Sequence, residues 1–177
     1  ASLCVMGPAA EEAVAMATTL LNLSVGLHVT LVDEQPASPP TDIPTLVDAT
    51  GRLPQSGIEF ARRWVMGKIA AADVEREVSA QWSRAVQLGV PITHFDSHDH
   101  IHVLPGILEI CLDAATAHKV SSLRVPLETA PVGAPSLRRG LFGIALSALS
   151  QRAARVARAR GFTFPAGFSG FRGAGAI

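Results

Sequence analysis

The sequence predicts an α/β domain built on parallel strands, and three observations predict it. Short apolar runs alternate with helix-like stretches along all 177 residues, the rhythm of repeated βα units. The one-way βαβα order gives successive strands the same direction. No Gly-rich phosphate loop follows the first apolar run, which weighs against a nucleotide-binding fold. On these grounds an open doubly wound sheet and a barrel both stay open. A chain of this length is expected to form one domain, over residues 1–177, with enough core to fold without a disulfide or metal staple.

The elements follow in order. Residues 2–6 read as a strand, and the Ala-rich stretch 9–21, with Pro8 near its start, as a helix. In 25–31 Val25, Leu27, Val29 and Leu31 point one way while Gly26, His28 and Thr30 point the other. Pro36, Pro39, Pro40 and Pro44 then impose an irregular loop. Helices are expected over 58–66 and 73–88. The second has Asp73 as N-cap, Gly89 just past its end, and an apolar stripe of Val74, Val78, Trp82, Ala85 and Val86. Residues 91–96 form the next strand, Pro105 opens a helix running to His118 at its first helical position, and 122–125 is another short strand. After a Pro/Gly loop, a long helix over 136–160 should turn Leu141, Ile144 and Leu149 to the core and its arginines to water. A strand at 162–164 and a Gly-rich tail from Pro165 close the pattern.

Composition narrows the function classes. With 48% hydrophobic and 17% charged residues, the chain is globular and not disordered. No stretch is apolar and long enough to span a bilayer; residues 141–149 are too few. No charged segment precedes residues 1–6, so they do not read as a signal peptide. Cys4 and Cys111 are far apart in apolar runs and read as small core residues of a reducing, cytoplasmic protein. Net charge is zero but uneven. Residues 1–100 hold 12 acidic and 6 basic side chains, and 101–177 hold 3 and 9. The basic excess reads as a solvated helix face or as a surface for an anionic group. Nucleic acid is not an expected partner, because no aromatics are interleaved with these arginines and Tyr is absent.

The chemistry concentrates in residues 94–102, which hold four of the six histidines. His94, Asp96, His98, His100 and His102 all occupy even positions, which share a face wherever the backbone is extended. A row of imidazoles with a carboxylate cannot line a dry core without unsatisfied polar groups. It fits a metal site or an acid/base site, with a carboxylate fixing an imidazole's tautomer. His94, earliest in the strand, also suits a buried structural role. The strand is expected to end near His98, leaving His100 and His102 on the loop beyond it, where parallel α/β folds carry their chemistry. His28, on the polar side of an apolar strand beside Gly26, is a candidate ligand from a neighbouring strand.

The segments Gly26-Leu27-His28-Val29-Thr30-Leu31 and Thr93-His94-Phe95-Asp96-Ser97-His98-Asp99-His100-Ile101-His102 resemble two signatures of the YdjC-like carbohydrate deacetylases, in the same order and at similar separation. The resemblance covers nearly the whole chain. The Ala-Ser-Leu opening, the Pro-rich loop and Gly167-Phe168-Ser169-Gly170 fit it too, and the first two are most like the branch associated with hopanoid lipid biosynthesis.

The resemblance implies a parallel (β/α) barrel-like fold of the polysaccharide and carbohydrate deacetylase type. It implies a hydrolase that removes acetyl from an N-acetylated amino sugar or a glycolipid headgroup with a metal-activated water. His28 and His98 correspond to two metal ligands. The ion is Mg2+ by resemblance, with Zn2+ as the alternative. His102 or His100 would protonate the leaving amine, and Asp96 would orient a histidine. The family's first strand also supplies a ligating Asp and an adjacent Asp as catalytic base. This chain has no Asp-Asp pair, so the resemblance implies that it begins after that strand and lacks the family's C-terminal portion. Rival readings are an amidohydrolase-type metallohydrolase with bridged metals, and an inactive metal-binding homologue. A homodimer is left open.

Overall fold

The computed structural model describes the backbone of residues 1–20, 22–127 and 137–167, and in the last stretch the side chains from Gly143 on. Strand β1 (Ser2–Leu3) is followed by helix α1 (Ala10–Thr18), strand β2 (Val25–Val29), helices α2 (Gly57–Val65) and α3 (Ala71–Gln87), and strand β3 (Ile92–Ser97). A tight turn over His98–Val103 leads to α4 (Ile107–Ala117), and α5 spans Leu137–Ala159.

The strands are parallel in the order β1-β2-β3. Single parallel bridges from Phe95 to Leu123 and from Ser122 to Thr163 extend the order by two more extended segments. Five successive segments therefore lie side by side in chain order. A doubly wound sheet reverses its order at a switch point. This arc does not among the described residues, so the choice left open by the sequence falls to the barrel-like (β/α) fold.

Alternation divides the arc into two faces. Leu27, Phe95 and Leu123, all at most 2% exposed, join one core with Val74, Val78 and Trp82 of α3, Cys111 and Leu112 of α4, and Ala153 and Ala157 of α5. The opposite face carries polar side chains, with Gly26 beside His94 and His28 beside Asp96 in register. Gly26 has a steric reason. A β-carbon there would lie 2.5 Å from the His94 ring, so the glycine makes room for that imidazole.

Several expected boundaries shift. The 2–6 strand shortens to Ser2–Leu3, and the 122–125 and 162–164 strands reduce to single bridges. Helix α1 stops at Thr18, and Leu21 and Ser136 fall outside the described residues. Pro105 precedes α4 instead of occupying its first turn. Gly106 is the N-cap at φ 85°, and its N–H donates to Glu109 across 2.7 Å. Val86 is 62% exposed and Ile144 66%, so neither belongs to its expected core stripe. Residue 141 has no described side chain. In α5 the core side is formed by Ser150, Ala153, Ala154 and Ala157, small residues that let the helix approach closely. Arg155, Arg158 and Arg160 are exposed as expected, while Arg160 and the half-buried Arg152 also pair with Asp113 and Glu109 of α4.

Asp73 is not the N-cap of α3; Ala70 is. Asp73 instead begins a buried ladder one helical turn apart with Glu77 and Gln81. The Asp73 carboxylate accepts the N–H and hydroxyl of Thr45 at 2.8 and 2.7 Å. Glu77 accepts the N–H groups of Ala37 and Ser38 at 2.8 and 2.9 Å. Gln81 bonds both the N–H and the carbonyl of Thr30. The irregular loop after β2 satisfies part of its backbone through its own turns, and this ladder takes up the N–H groups of Ala37, Ser38 and Thr45.

Candidate functional site

The site forms where β2 and β3 end. Parallel register puts His28 directly beside Asp96. Oδ1 of Asp96 accepts the Nδ1–H of His28 at 2.7 Å, which leaves the Nε2 lone pair of His28 directed outward. That nitrogen lies 3.4 Å from Nδ1 of His98, with the two rings nearly perpendicular at 87°. The two histidines singled out from separate strands therefore converge, and the imidazole of His28 stays 27% exposed.

Asp96 is 2% exposed, and both its oxygens are engaged. Oδ2 accepts the hydroxyl of Ser2 at 2.8 Å and pairs with a guanidinium nitrogen of Arg124 at 2.6 Å. Burial alone would push its pKa up. The hydrogen bond and charge of His28, then Ser2 and Arg124, outweigh burial and hold the carboxyl below the ordinary carboxylate range. Arg124 and Ser2 were missed by the sequence reading. The signal existed: Arg124 is a charge at an even position of an expected strand, and such a charge must find a partner.

Beyond Ser97 the row of even-numbered side chains breaks. Asp99 and His100 adopt left-handed φ values of 51° and 55°, so the chain reverses and 98, 100 and 102 do not share one face. The turn is held from α2, where the N–H of Gly57 donates to Asp99 across 2.9 Å. His100 lines an apolar groove of about 450 Å³ with Ile58, Ala61, Leu104, Leu146 and Leu149. Burial holds the pKa of His100 below its ordinary value, against the opposing pull of Asp96 and Asp99.

His102 folds back beneath the strand and is 1% exposed. Its Nε2–H donates to the carbonyl of Arg124 at 2.8 Å, and its Nδ1 accepts the Ser97 hydroxyl at 2.6 Å. Neither nitrogen is left for a substrate, so the acid role expected for His102 is corrected to that of a brace between β3 and the segment carrying Arg124. Burial pushes its pKa down to about 4. Because the folded pKa lies below the ordinary 6.5, the unfolded chain binds the extra proton more readily. Stability from this group is complete above pH 6.5 and lost as pH falls towards 4, by about 3 kcal/mol. Urea unfolding between pH 7 and pH 4 should show that decline, and a His102→Gln variant should show a flatter one. An equal slope in both proteins would mean that His102 does not carry it.

His94 takes the structural role. Its ring packs over Gly26, its Nδ1 pairs with the Thr93 hydroxyl at 2.9 Å, and burial lowers its pKa. Neither cysteine forms a disulfide, and burial raises the Cys111 thiol to about 12.

The two imidazoles can be tested as a metal pair. Two nitrogens each about 2.1 Å from a tetrahedral ion lie about 3.4 Å apart, which matches the separation of His28 Nε2 and His98 Nδ1. Asp96 on the far nitrogen of His28 is the usual support of a ligating imidazole. Among the described residues no third His, Cys, Asp or Glu joins them to make a group of three. The pair therefore fits two corners of a site.

A family model described as YdjC-like protein matches residues 1–177. A carbohydrate deacetylase of Brevibacillus brevis is 38% identical over 112 residues, 62% of this chain and 41% of that protein. A carbohydrate deacetylase of Mus musculus is 34% identical over 133 residues, 72% of this chain and 41% of that protein. A chitooligosaccharide deacetylase of Serratia marcescens is 35% identical over 104 residues, 58% of this chain and 39% of that protein. The chain thus spans about two fifths of the length of these relatives. A crystal structure from Enterococcus faecalis V583, described as a cellobiose-phosphate cleavage protein, superposes with a TM-score of 0.68. It is 21% identical, over 93% of this chain and 54% of that one, and shares the fold.

Proposed function

The chain belongs to the YdjC-like protein family, and from that membership and the paired imidazoles we propose that it carries part of the site of a metal-dependent carbohydrate deacetylase. The observation that carries the proposal is the approach of His28 Nε2 to His98 Nδ1 with Asp96 behind the first. The relatives named as carbohydrate and chitooligosaccharide deacetylases supply the substrate class, an N-acetylated amino sugar. The apolar groove beside His100 favours a substrate with an apolar portion, such as a glycolipid, over a bare sugar.

A divalent ion, Mg2+ or Zn2+, held by His28 and His98 would acidify a bound water and polarise the acetamide carbonyl. Asp96 keeps the proton of His28 on Nδ1, so that ring offers its lone pair outward. It does not serve as the base, since each of its oxygens already accepts a hydrogen bond. His100, which lines the groove, is the imidazole we assign to give the leaving amine a proton; both nitrogens of His102 are engaged within the fold. The third ligand and the base implied by the family resemblance, two adjacent Asp residues, have no counterpart in the sequence. No helix among the described residues is long and apolar enough to cross a membrane. With two free cysteines, we place the protein in the cytoplasm.

The test is acetate release from N-acetylglucosaminyl oligosaccharides and glycolipids, with added Mg2+ or Zn2+. It is to be run on the 177-residue chain and on one extended upstream by a strand bearing an Asp pair. Turnover is expected only from the extended chain and only with metal. Metal-independent turnover would refute the assignment.

A further inference from the structure

Asp96 lies inside the second family signature, yet it is itself held by Ser2 and Arg124, which lie outside both signatures. A buried carboxylate with one hydrogen-bond donor can rotate and present either oxygen to a neighbouring ring. Asp96 cannot do so freely, because Oδ2 is clamped by the Arg124 guanidinium at 2.6 Å and the Ser2 hydroxyl at 2.8 Å. Only Oδ1 is left for His28, at 2.7 Å. Arg124 is fixed in turn at its backbone. Its N–H donates to the Phe95 carbonyl at 2.9 Å, and its carbonyl accepts the Nε2–H of His102 at 2.8 Å. The circuit closes through the Ser97 hydroxyl on His102, next in chain to Asp96.

We propose that Arg124 is a positioning residue for the metal-facing imidazole: by clamping Oδ2 of Asp96 it commits Oδ1 to the Nδ1–H of His28 and so aims the Nε2 lone pair at His98. The proposal rests on the reading of His28 and His98 as ligands, but the tautomer it predicts belongs to the ion-free chain. Neutral imidazole divides between two tautomers, and a charged acceptor on Nδ1 selects one of them. Without Arg124, Asp96 would lose its nearest cation, and the Ser2 hydroxyl alone would remain on Oδ2, a single bond about which the carboxylate can turn away from His28. His28 would then be free to carry its proton on Nε2, where it would block the ion. Lysine should substitute well, because the contact uses one guanidinium nitrogen and not a bidentate fork.

The experiment measures the His28 tautomer in the ion-free 177-residue chain by long-range 1H–15N correlation, and Zn2+ affinity by calorimetry. The proteins are the wild type, Arg124→Met, Arg124→Gln and Arg124→Lys. The wild type should carry its proton on Nδ1. Arg124→Met should shift population to the Nε2–H form and weaken Zn2+ binding by roughly 10–100-fold, the usual cost of losing an outer partner of a ligand. Arg124→Lys should restore both. Arg124→Gln, which keeps a donor without the charge, serves if the Met variant does not fold, and should shift the tautomer in the same direction. An unchanged tautomer in a folded Met or Gln variant would overturn the proposal and leave Arg124 a structural ion-pair partner. If the wild type and the extended chain bind no Zn2+, the metal reading fails instead, and the tautomer still decides the role of Arg124.

Discussion

Replacing His98 with Ala in a chain extended upstream by an Asp-bearing strand is expected to abolish acetate release. It should also weaken divalent binding by more than the roughly 10–100-fold that removal of an outer partner costs. In the proposed site the 3.4 Å approach of His98 to His28 would make it one of two nitrogens offered to an ion, and catalytic metal sites use three protein ligands with one position left for water. Losing one ligand removes both affinity and the geometry that aims the water. The unextended chain already lacks the expected anionic ligand, so it should bind an ion weakly and release no acetate. Calorimetry on both chains, with acetate measured in parallel, separates binding from turnover. Retained turnover in the His98→Ala protein would exclude His98 as a ligand. Robust activity from the 177 residues alone would mean that the base is misplaced. Asp96 would then be the first residue to re-examine, despite its engaged oxygens.

The sequence made the site legible to the extent that backbone periodicity governs it. His28 and Asp96 were readable because both lie inside strands, where alternation fixes the face and parallel pairing brings Gly26 beside His94 and His28 beside Asp96. The same rule stops applying at Ser97, in line with the strand end expected near His98. Left-handed backbone at Asp99 and His100 turns the chain, so His102 ends in the core as a brace although it continues the even-numbered row. Asp and His are among the non-glycine residues that adopt positive φ most readily, but that preference alone does not locate the turn. Helix content was legible from the 3.6-residue period, and so was the end of α3 at Gly89, whose φ is 74°, but its N-cap was not. Asp73 is a good N-cap residue by type, yet its carboxylate is claimed by Thr45, far away in sequence. Partners such as Arg124 for Asp96 and Arg152 for Glu109 are set by tertiary contact, and a single sequence records only that each charge needs one.

Glu77→Leu is expected to be the most destabilising single change outside the site, at roughly 3–5 kcal/mol. Glu77 is fully buried. Its Oε1 accepts the Ala37 N–H at 2.8 Å and the Gln81 side-chain amide at 2.7 Å, and its Oε2 accepts the Ser38 N–H at 2.9 Å. Leucine fills a similar volume but accepts nothing. Three donors would lose their partners at about 1–3 kcal/mol each, offset in part because a buried carboxylate is itself costly to desolvate. Gln81 would be disturbed too, and with it the bonds that tie Thr30 to α3. The loop from Thr30 leads through Ser56 to Gly57, whose N–H holds Asp99 on the turn carrying His98 and His100. Slackening that loop should therefore loosen the site as well as the fold. Glu77→Gln keeps one acceptor oxygen and should lose less. Urea unfolding gives the stabilities, and hydrogen exchange at the amides of Ala37, Ser38 and Gly57 locates the loss. Fast exchange at all three in the Leu variant is expected. Wild-type stability in that variant would show that the desolvation cost of the buried carboxylate equals what its three hydrogen bonds return, and that the loop is held by other contacts.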